Sequence, residues 1–368
     1  MGRASRKPIR ITSLKDIAQL AAQCTRFLNG HPPRTVRSHL HLIAESPLAL
    51  QRSDGYGQGG YIADLEREVA DLLGKESAVF MPSGTMAQPI ALRIWSDLAE
   101  TKRVAFHPTC HLELHEHGAY RELHGLEGVL VGAIDQMMTL DDVRRVADPI
   151  STLLIELPQR EIGGQLPPWD ELQALCAHAV SRGMKLHLDG ARLWECQPYY
   201  GRTYAEIVAP FDSVYVSFYK ILGGLPGAML AGPSGLIEQA RIWQRRQGGN
   251  LQQQAPSAIA AKLGLDHHLP KIPLYVAKAA EIADVLREFD LVRIVPEHPP
   301  TNMMHLYLAG DPERLLAASH QIAEEEHTAL FFRLGANGKV ELNVGEGALE
   351  IDRAELRRLF ERLFSLAG

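Results

Sequence analysis

Seven short runs rich in apolar and β-branched residues, at 78–81, 104–106, 128–131, 152–156, 185–188, 213–217 and 228–231, alternate with stretches of helical periodicity. Each run is bounded by a turn and followed by a helix, a pattern that predicts a mostly parallel seven-stranded sheet covered on both faces. The large domain is therefore expected to be α/β. After it, 255–289 reads as one long helix, 292–295, 303–308 and 340–344 as strands, and 352–366 as a terminal helix, which together predict a small C-terminal α+β domain. The first fifty or so residues read as an arm with an amphipathic helix over 14–28. The expected division is an arm at 1–52, a large domain at 53–265 and a small domain at 266–368.

Composition removes several classes of function. The chain has 368 residues, 46% hydrophobic and 22% charged, enough apolar sequence for two packed domains and no sign of disorder. A net charge of −6 without a long basic run argues against a nucleic-acid partner. Cys24, Cys110, Cys176 and Cys196 are widely spaced, with no CxxC pair, so neither a disulfide framework nor a metal site is expected. The start carries Arg3, Arg6, Lys7 and Arg10 without the apolar core of a signal peptide, and Arg6 occupies the position where a myristoylation pattern needs Ser or Thr. No apolar run is long enough to span a bilayer, and the expectation is a cytoplasmic protein.

Three places can carry chemistry. Phe80-Met81-Pro82-Ser83-Gly84-Thr85-Met86 is a strand ending in small residues ahead of an apolar helix. Backbone N–H groups at a helix start attract an anion, so Ser83, Gly84 and Thr85 suit a phosphate, although the same residues suit a plain N-cap. In His187-Leu188-Asp189-Gly190-Ala191-Arg192 the carboxylate of Asp189 lies just beyond a predicted strand, at the edge where open α/β sheets place ligands. It can hold a pyridine nitrogen protonated, or it can cap a helix with Arg192 as an ion-pair partner. Lys220 follows the run 213–217 and precedes Gly223 and Gly224. A lysine desolvated there supplies the free amine that condenses with an aldehyde; a solvated one is an ordinary surface residue. The order of the three elements suggests a pyridoxal-phosphate arrangement.

Met81-Pro82-Ser83-Gly84-Thr85-Met86, His187 through Trp194, and Phe211-Asp212-Ser213-Val214 leading to Lys220 and Ala231-Gly232-Pro233 resemble the threonine aldolase and beta-eliminating lyase family. That family has the fold of pyridoxal-phosphate-dependent transferases of type I, and the resemblance runs from about Tyr56 to Leu265. It implies pyridoxal 5'-phosphate in Schiff-base linkage to Lys220, with Asp189 on the ring nitrogen and Ser83, Gly84 and Thr85 on the phosphate. His111, in a segment similar to the family's His-x4-Glu-x-Gly, would stack on the ring. Arg192 would lie near the phenolic oxygen and the substrate carboxylate. Tyr56 and Gly57 would reach a neighbouring subunit's site, and Arg245 would give a phosphate contact across a dimer. The implied assembly is a homodimer or homotetramer with shared sites.

The departures concern the substrate. Where the family has Glu-Asn-Thr-His-Asn, this chain reads Glu156-Leu157-Pro158-Gln159-Arg160, so Gln159 stands where an imidazole is expected near the β-hydroxyl. Where an arginine for the substrate carboxylate is expected the chain has Val340-Glu341-Leu342, with Arg333 close in sequence as a substitute. Tyr219 replaces a serine before the lysine, and Gln252 an arginine. The implied activity is cleavage of the Cα–Cβ bond of a β-hydroxy-α-amino acid, as in low-specificity L-threonine or L-allo-threonine aldolases, with water or His111 as base. Alternatives are a β-eliminating lyase, racemase or aminotransferase on the same scaffold, and a catalytically reduced homologue that binds the cofactor or another protein.

Overall fold

The computed structural model describes residues 14–147 and 149–368. The N-terminal residues Arg3, Arg6, Lys7 and Arg10, on which the expectation of no leader rests, lie outside the described residues. Among the described residues no helix is long and apolar enough to cross a membrane. The described residues form two compact units, one from 36–273 and one combining 14–35 with 274–368.

The larger unit is built on a seven-stranded sheet. Across it the strands run Ser77–Met81, Ala228–Gly232, Ser213–Ser217, Lys185–Gly190, Thr152–Glu156, Arg103–Phe106 and Glu127–Leu130. Ala228–Gly232 is antiparallel to both neighbours, while all other pairs are parallel. The reason is local: the connection 218–227 is too short for the crossover that parallel neighbours need, so the chain turns straight back. Thr152–Glu156, Ser213–Ser217 and Ala228–Gly232 are buried throughout, which explains why they read as continuous apolar runs. Val79, Met81, Tyr215 and Leu230 pack against Ile90, Ile94 and Trp95 of the helix Gly84–Leu98 and Ile237 and Ala240 of Ser234–Arg246. At the outer edge, Phe80 N donates to Glu66 Oε1 at 2.8 Å and Phe80 O accepts from Gln244 Nε2 at 2.8 Å, so side chains satisfy an otherwise open strand.

In the smaller unit a three-stranded antiparallel sheet, Lys339–Asn343, Met303–Leu308 and Val292–Val295, alternates side chains between its faces. Ile294, Met304, Leu306, Leu308, Val340 and Leu342 join one apolar cluster with Ile282, Leu286, Ile322 and Phe360 from the unit's helices. Asp352 caps the terminal helix Arg353–Ala367 by accepting from Glu355 N.

Four expectations require correction. The run 14–28 is not one helix: Leu14–Ala21 is helical, and Arg26–Phe27 then pairs in parallel with Thr328–Ala329, which buries Leu28 in the smaller unit's core. The arm 1–52 is therefore divided, with residues 14–35 belonging to the smaller unit and Val36–Glu45 to the larger. The single helix over 255–289 is two, Ala255–His268 and Ile272–Leu286, because Pro270 and Pro273 remove N–H donors that a continuous helix requires. The boundary between the units falls there, after Pro273, instead of after 265.

Candidate active site

The parallel strands of the larger unit share a carboxyl edge, and the residues at and just past their ends line one cleft. Ser77–Met81 leads to Gly84 and Thr85, Arg103–Phe106 to Thr109 and His111, and Thr152–Glu156 to Arg160; Lys185–Gly190 contributes Asp189 and Arg192, and Ser213–Ser217 leads to Lys220. Strand register brings the acids together, since Glu156 and Asp189 are paired positions on adjacent parallel strands.

Asp189 lies inside its strand and not beyond it, held in register with Tyr215 on the other side. Its carboxylate is 1% exposed; Oδ1 accepts from Ala191 N and Oδ2 from Gln88 Nε2, each at 3.0 Å. Glu156 is also buried: Oε2 accepts from Gln159 Nε2 at 3.0 Å and Oε1 from Arg160 N at 3.2 Å. Burial, and then the charge of Asp189, push the Glu156 carboxyl up to about 8. Across the cleft, burial and the neighbouring Arg192 guanidinium lower the Lys220 ammonium to about 8, against the opposing pull of Asp189 and Glu156. The amine is still mostly protonated at neutral pH, but far more of it is neutral and nucleophilic than of an ordinary lysine.

At the start of Gly84–Leu98, Ser83 Oγ accepts from Met86 N at 3.3 Å, so this hydroxyl serves as the N-cap, and Ser83 does not line the cleft. Gly84 does line it, and a Cβ there would lie 2.1 Å from Tyr215 Oη, so no other residue allows this close approach. The helix start at Gly84 and Thr85, both of which line the cleft, is suited to an anion.

His111 Nδ1 is 2.9 Å from Glu116 Oε1, and Glu116 Oε2 is buried with no hydrogen-bond partner among the described residues. His111 and His115 face each other with ring centroids 5.1 Å apart. His115 Nε2 lies 2.9 Å from Glu161 Oε1, and both residues line the cleft. Gln159 is buried, its amide donating to Thr109 Oγ1 and Glu156 Oε2, and it is not part of the cleft lining.

The remaining sequence-predicted residues lie elsewhere. Tyr56 sits exposed at the tip of the Gly55–Gln58 turn. Asp54 builds that turn by accepting from Gly57 N at 2.9 Å and from Gln254 N and Ala255 N at 2.8 Å. Arg245 is in the last turn of Ser234–Arg246, outside the cleft lining. Arg333 is exposed in the smaller unit, in the loop after Thr328–Ala329.

Sequence reasoning passed over Gln88, Glu156, His115, Glu161 and Tyr215 as site residues. Glu156 had a signal, being the last residue of a predicted strand at the ligand-bearing edge. Gln88 stands one turn after Gly84 on the same helix. Nothing in the sequence showed that Glu161 meets His115.

An amine lowered to about 8, a buried carboxylate on the neighbouring strand and a helix start stripped of its Cβ suit pyridoxal phosphate, and Gln88 Oε1 and Glu116 Oε2, buried without a hydrogen-bond partner among the described residues, are polar atoms left for a guest. Fold and site define a class, the pyridoxal-phosphate-dependent enzymes of fold type I. The family model for beta-eliminating lyases matches residues 48–309, and the chain belongs to that family. A solved structure from Listeria monocytogenes, provisionally named an L-allo-threonine aldolase, is 40% identical with a TM-score of 0.90, covering 95% of this chain and 98% of that one. One from Exiguobacterium, provisionally named an aromatic amino acid beta-eliminating lyase/threonine aldolase, is 41% identical with a TM-score of 0.90, covering 95% and 99%. Low-specificity L-threonine aldolase 1 of Arabidopsis thaliana is 30% identical over 73% of this chain and 77% of its own length. The protein is a pyridoxal-phosphate-dependent lyase.

Proposed function

We propose that the protein is an aldolase of low specificity that cleaves the Cα–Cβ bond of β-hydroxy-α-amino acids such as L-threonine and L-allo-threonine, releasing glycine and an aldehyde. The observation that carries this reading is the convergence of Lys220, Asp189 and the Gly84–Thr85 helix start on one strand edge in a chain whose relatives bear those names. When bound, the cofactor supplies an electron-accepting ring. Lys220 would offer the amine that anchors it, Asp189 would hold a proton at the ring nitrogen, and Gly84 with Thr85 would receive the phosphate. His111, oriented by Glu116, would cover the face of the ring. Arg192 fixes a carboxylate with its planar fork.

The proposed working form is a homodimer or homotetramer, with Tyr56 and Arg245 reaching the site of a second copy and Arg333 assisting the substrate carboxylate. The Asp54-anchored turn supports this, since it holds Tyr56 outward at 59% exposure. A cytoplasmic location rests on the wide spacing of the four cysteines. Product analysis with threonine, allo-threonine and phenylserine tests the activity: glycine plus the matching aldehyde is expected, whereas a keto acid or an inverted amino acid assigns the chain to elimination, transamination or racemisation.

A further inference from the structure

Gln159 leaves the reaction without an imidazole on the loop where the family places one, and its amide is already held by Thr109 and Glu156. The same loop does something else. Its next turn, Arg160–Ile162, carries Glu161 to His115, with Nε2 and Oε1 2.9 Å apart. Arg160 Nη1 lies 3.1 Å from the same Glu161 oxygen and 3.4 Å from His115 Nε2. His115 follows His111 by one helical turn, its backbone N–H donating to His111 O at 2.9 Å, which puts the two imidazoles on one face with centroids 5.1 Å apart. His111, His115, Arg160 and Glu161 all line the cleft that holds Lys220.

We infer that His115, oriented by Glu161, is the proton acceptor for the substrate's β-hydroxyl, so that this chain supplies from the residue that ends the helix His111–Leu114 the base that the family resemblance places on the loop after Glu156. The inference rests on the aldolase reading. Donation of the Nε2 proton to Glu161 leaves the lone pair at Nδ1, the arrangement of a base with a fixed tautomer. His111 is committed through Nδ1 to Glu116, so the two imidazoles hold separate tasks. In the step, Nδ1 takes the hydroxyl proton and the O–H pair becomes the second bond of the aldehyde carbonyl. The Cα–Cβ pair stays with Cα, which is later protonated to give glycine. Glu161 acts through His115 and is a positioning residue.

The test uses holoenzyme and compares two reactions at one site. Cleavage of threonine or phenylserine needs the β-hydroxyl proton removed; exchange of the glycine Cα proton with deuterated water does not. H115Q is expected to lower kcat for cleavage by about a hundredfold or more while exchange stays within about twofold. H115A is expected to respond the same way and to regain cleavage with added imidazole, and E161Q to lose less than either. Undiminished cleavage in H115Q and H115A overturns the assignment. So does a parallel loss of cleavage and exchange that imidazole does not relieve, because that is the mark of structural damage. If the unmodified protein exchanges glycine but releases no aldehyde from any β-hydroxy-α-amino acid, the aldolase reading itself falls, and that result appears before any substitution is made.

Discussion

The two walls of the cleft are built on different principles. On the strand-edge wall, Asp189 and Glu156 are 1% and 8% exposed, and their oxygens are held by backbone N–H groups and buried amides. On the turn wall, the side chains of His111 and His115 are 36% and 38% exposed, and each is held by one carboxylate partner. The first wall has its geometry fixed by sheet register. The second depends on a short helix and a turn, whose side chains can be exchanged without disturbing the sheet. On the proposed assignments, chemistry common to the cofactor class falls on the first, and the protons that decide the reaction fall on the second.

Removing the strand-edge amine gives the largest effect. K220A is expected to abolish turnover and to leave no cofactor fixed to the chain by borohydride, as read by mass spectrometry of the reduced peptide; turnover persisting at a measurable fraction would mean that the amine is elsewhere. Next in size is G84A. Its methyl group would meet Tyr215 Oη at 2.1 Å, so the helix start must shift. A loss of about 1–3 kcal/mol in unfolding free energy is expected, with weaker cofactor binding by titration of the visible band. Unchanged binding would show that the helix start does not receive the phosphate.

On the turn wall the same kind of change costs less. E116Q keeps the shape but removes the anion behind His111 Nδ1, and about a tenfold fall in kcat is expected, the size of one charge-assisted hydrogen bond. A loss as large as that from K220A would erase the distinction between the walls.

The sequence displayed the strand-edge wall far better than the turn wall, and the reason is physical. Strands reveal themselves by apolar runs, and the residue at a strand's end inherits its position from the sheet, so Asp189 and Lys220 were readable within a residue or two. His115 and Glu161 are 46 positions apart and meet only through the course of two loops. Gln159 was legible as a departure, but not its engagement with Thr109 and Glu156. The proline break at 270–273 was present in the sequence, yet apolar periodicity on both sides hid it. The β pairing of Arg26–Phe27 with Thr328–Ala329 links residues too distant for local pattern to show.

The smallest effect concerns the charge balance of the strand-edge wall. In cofactor-free protein Lys220 is lowered from 10.5 to about 8, and only the neutral amine attacks an aldehyde. Cofactor capture followed by absorbance is therefore expected to quicken as pH rises through about 8 and to level off above it. Glu156 ionises in the same range, and its negative charge favours the ammonium form, so E156Q is expected to move that midpoint to lower pH. The folded-state value of Glu156 is raised from 4.5 to about 8, so its contribution to stability is fully present below 4.5 and is lost as pH rises through about 8. E156Q should accordingly gain stability relative to the unsubstituted cofactor-free protein across that window, measured by urea unfolding at several pH values. A capture midpoint near 10.5, or a stability difference independent of pH, would show that the strand-edge groups are as well solvated as those on the turn.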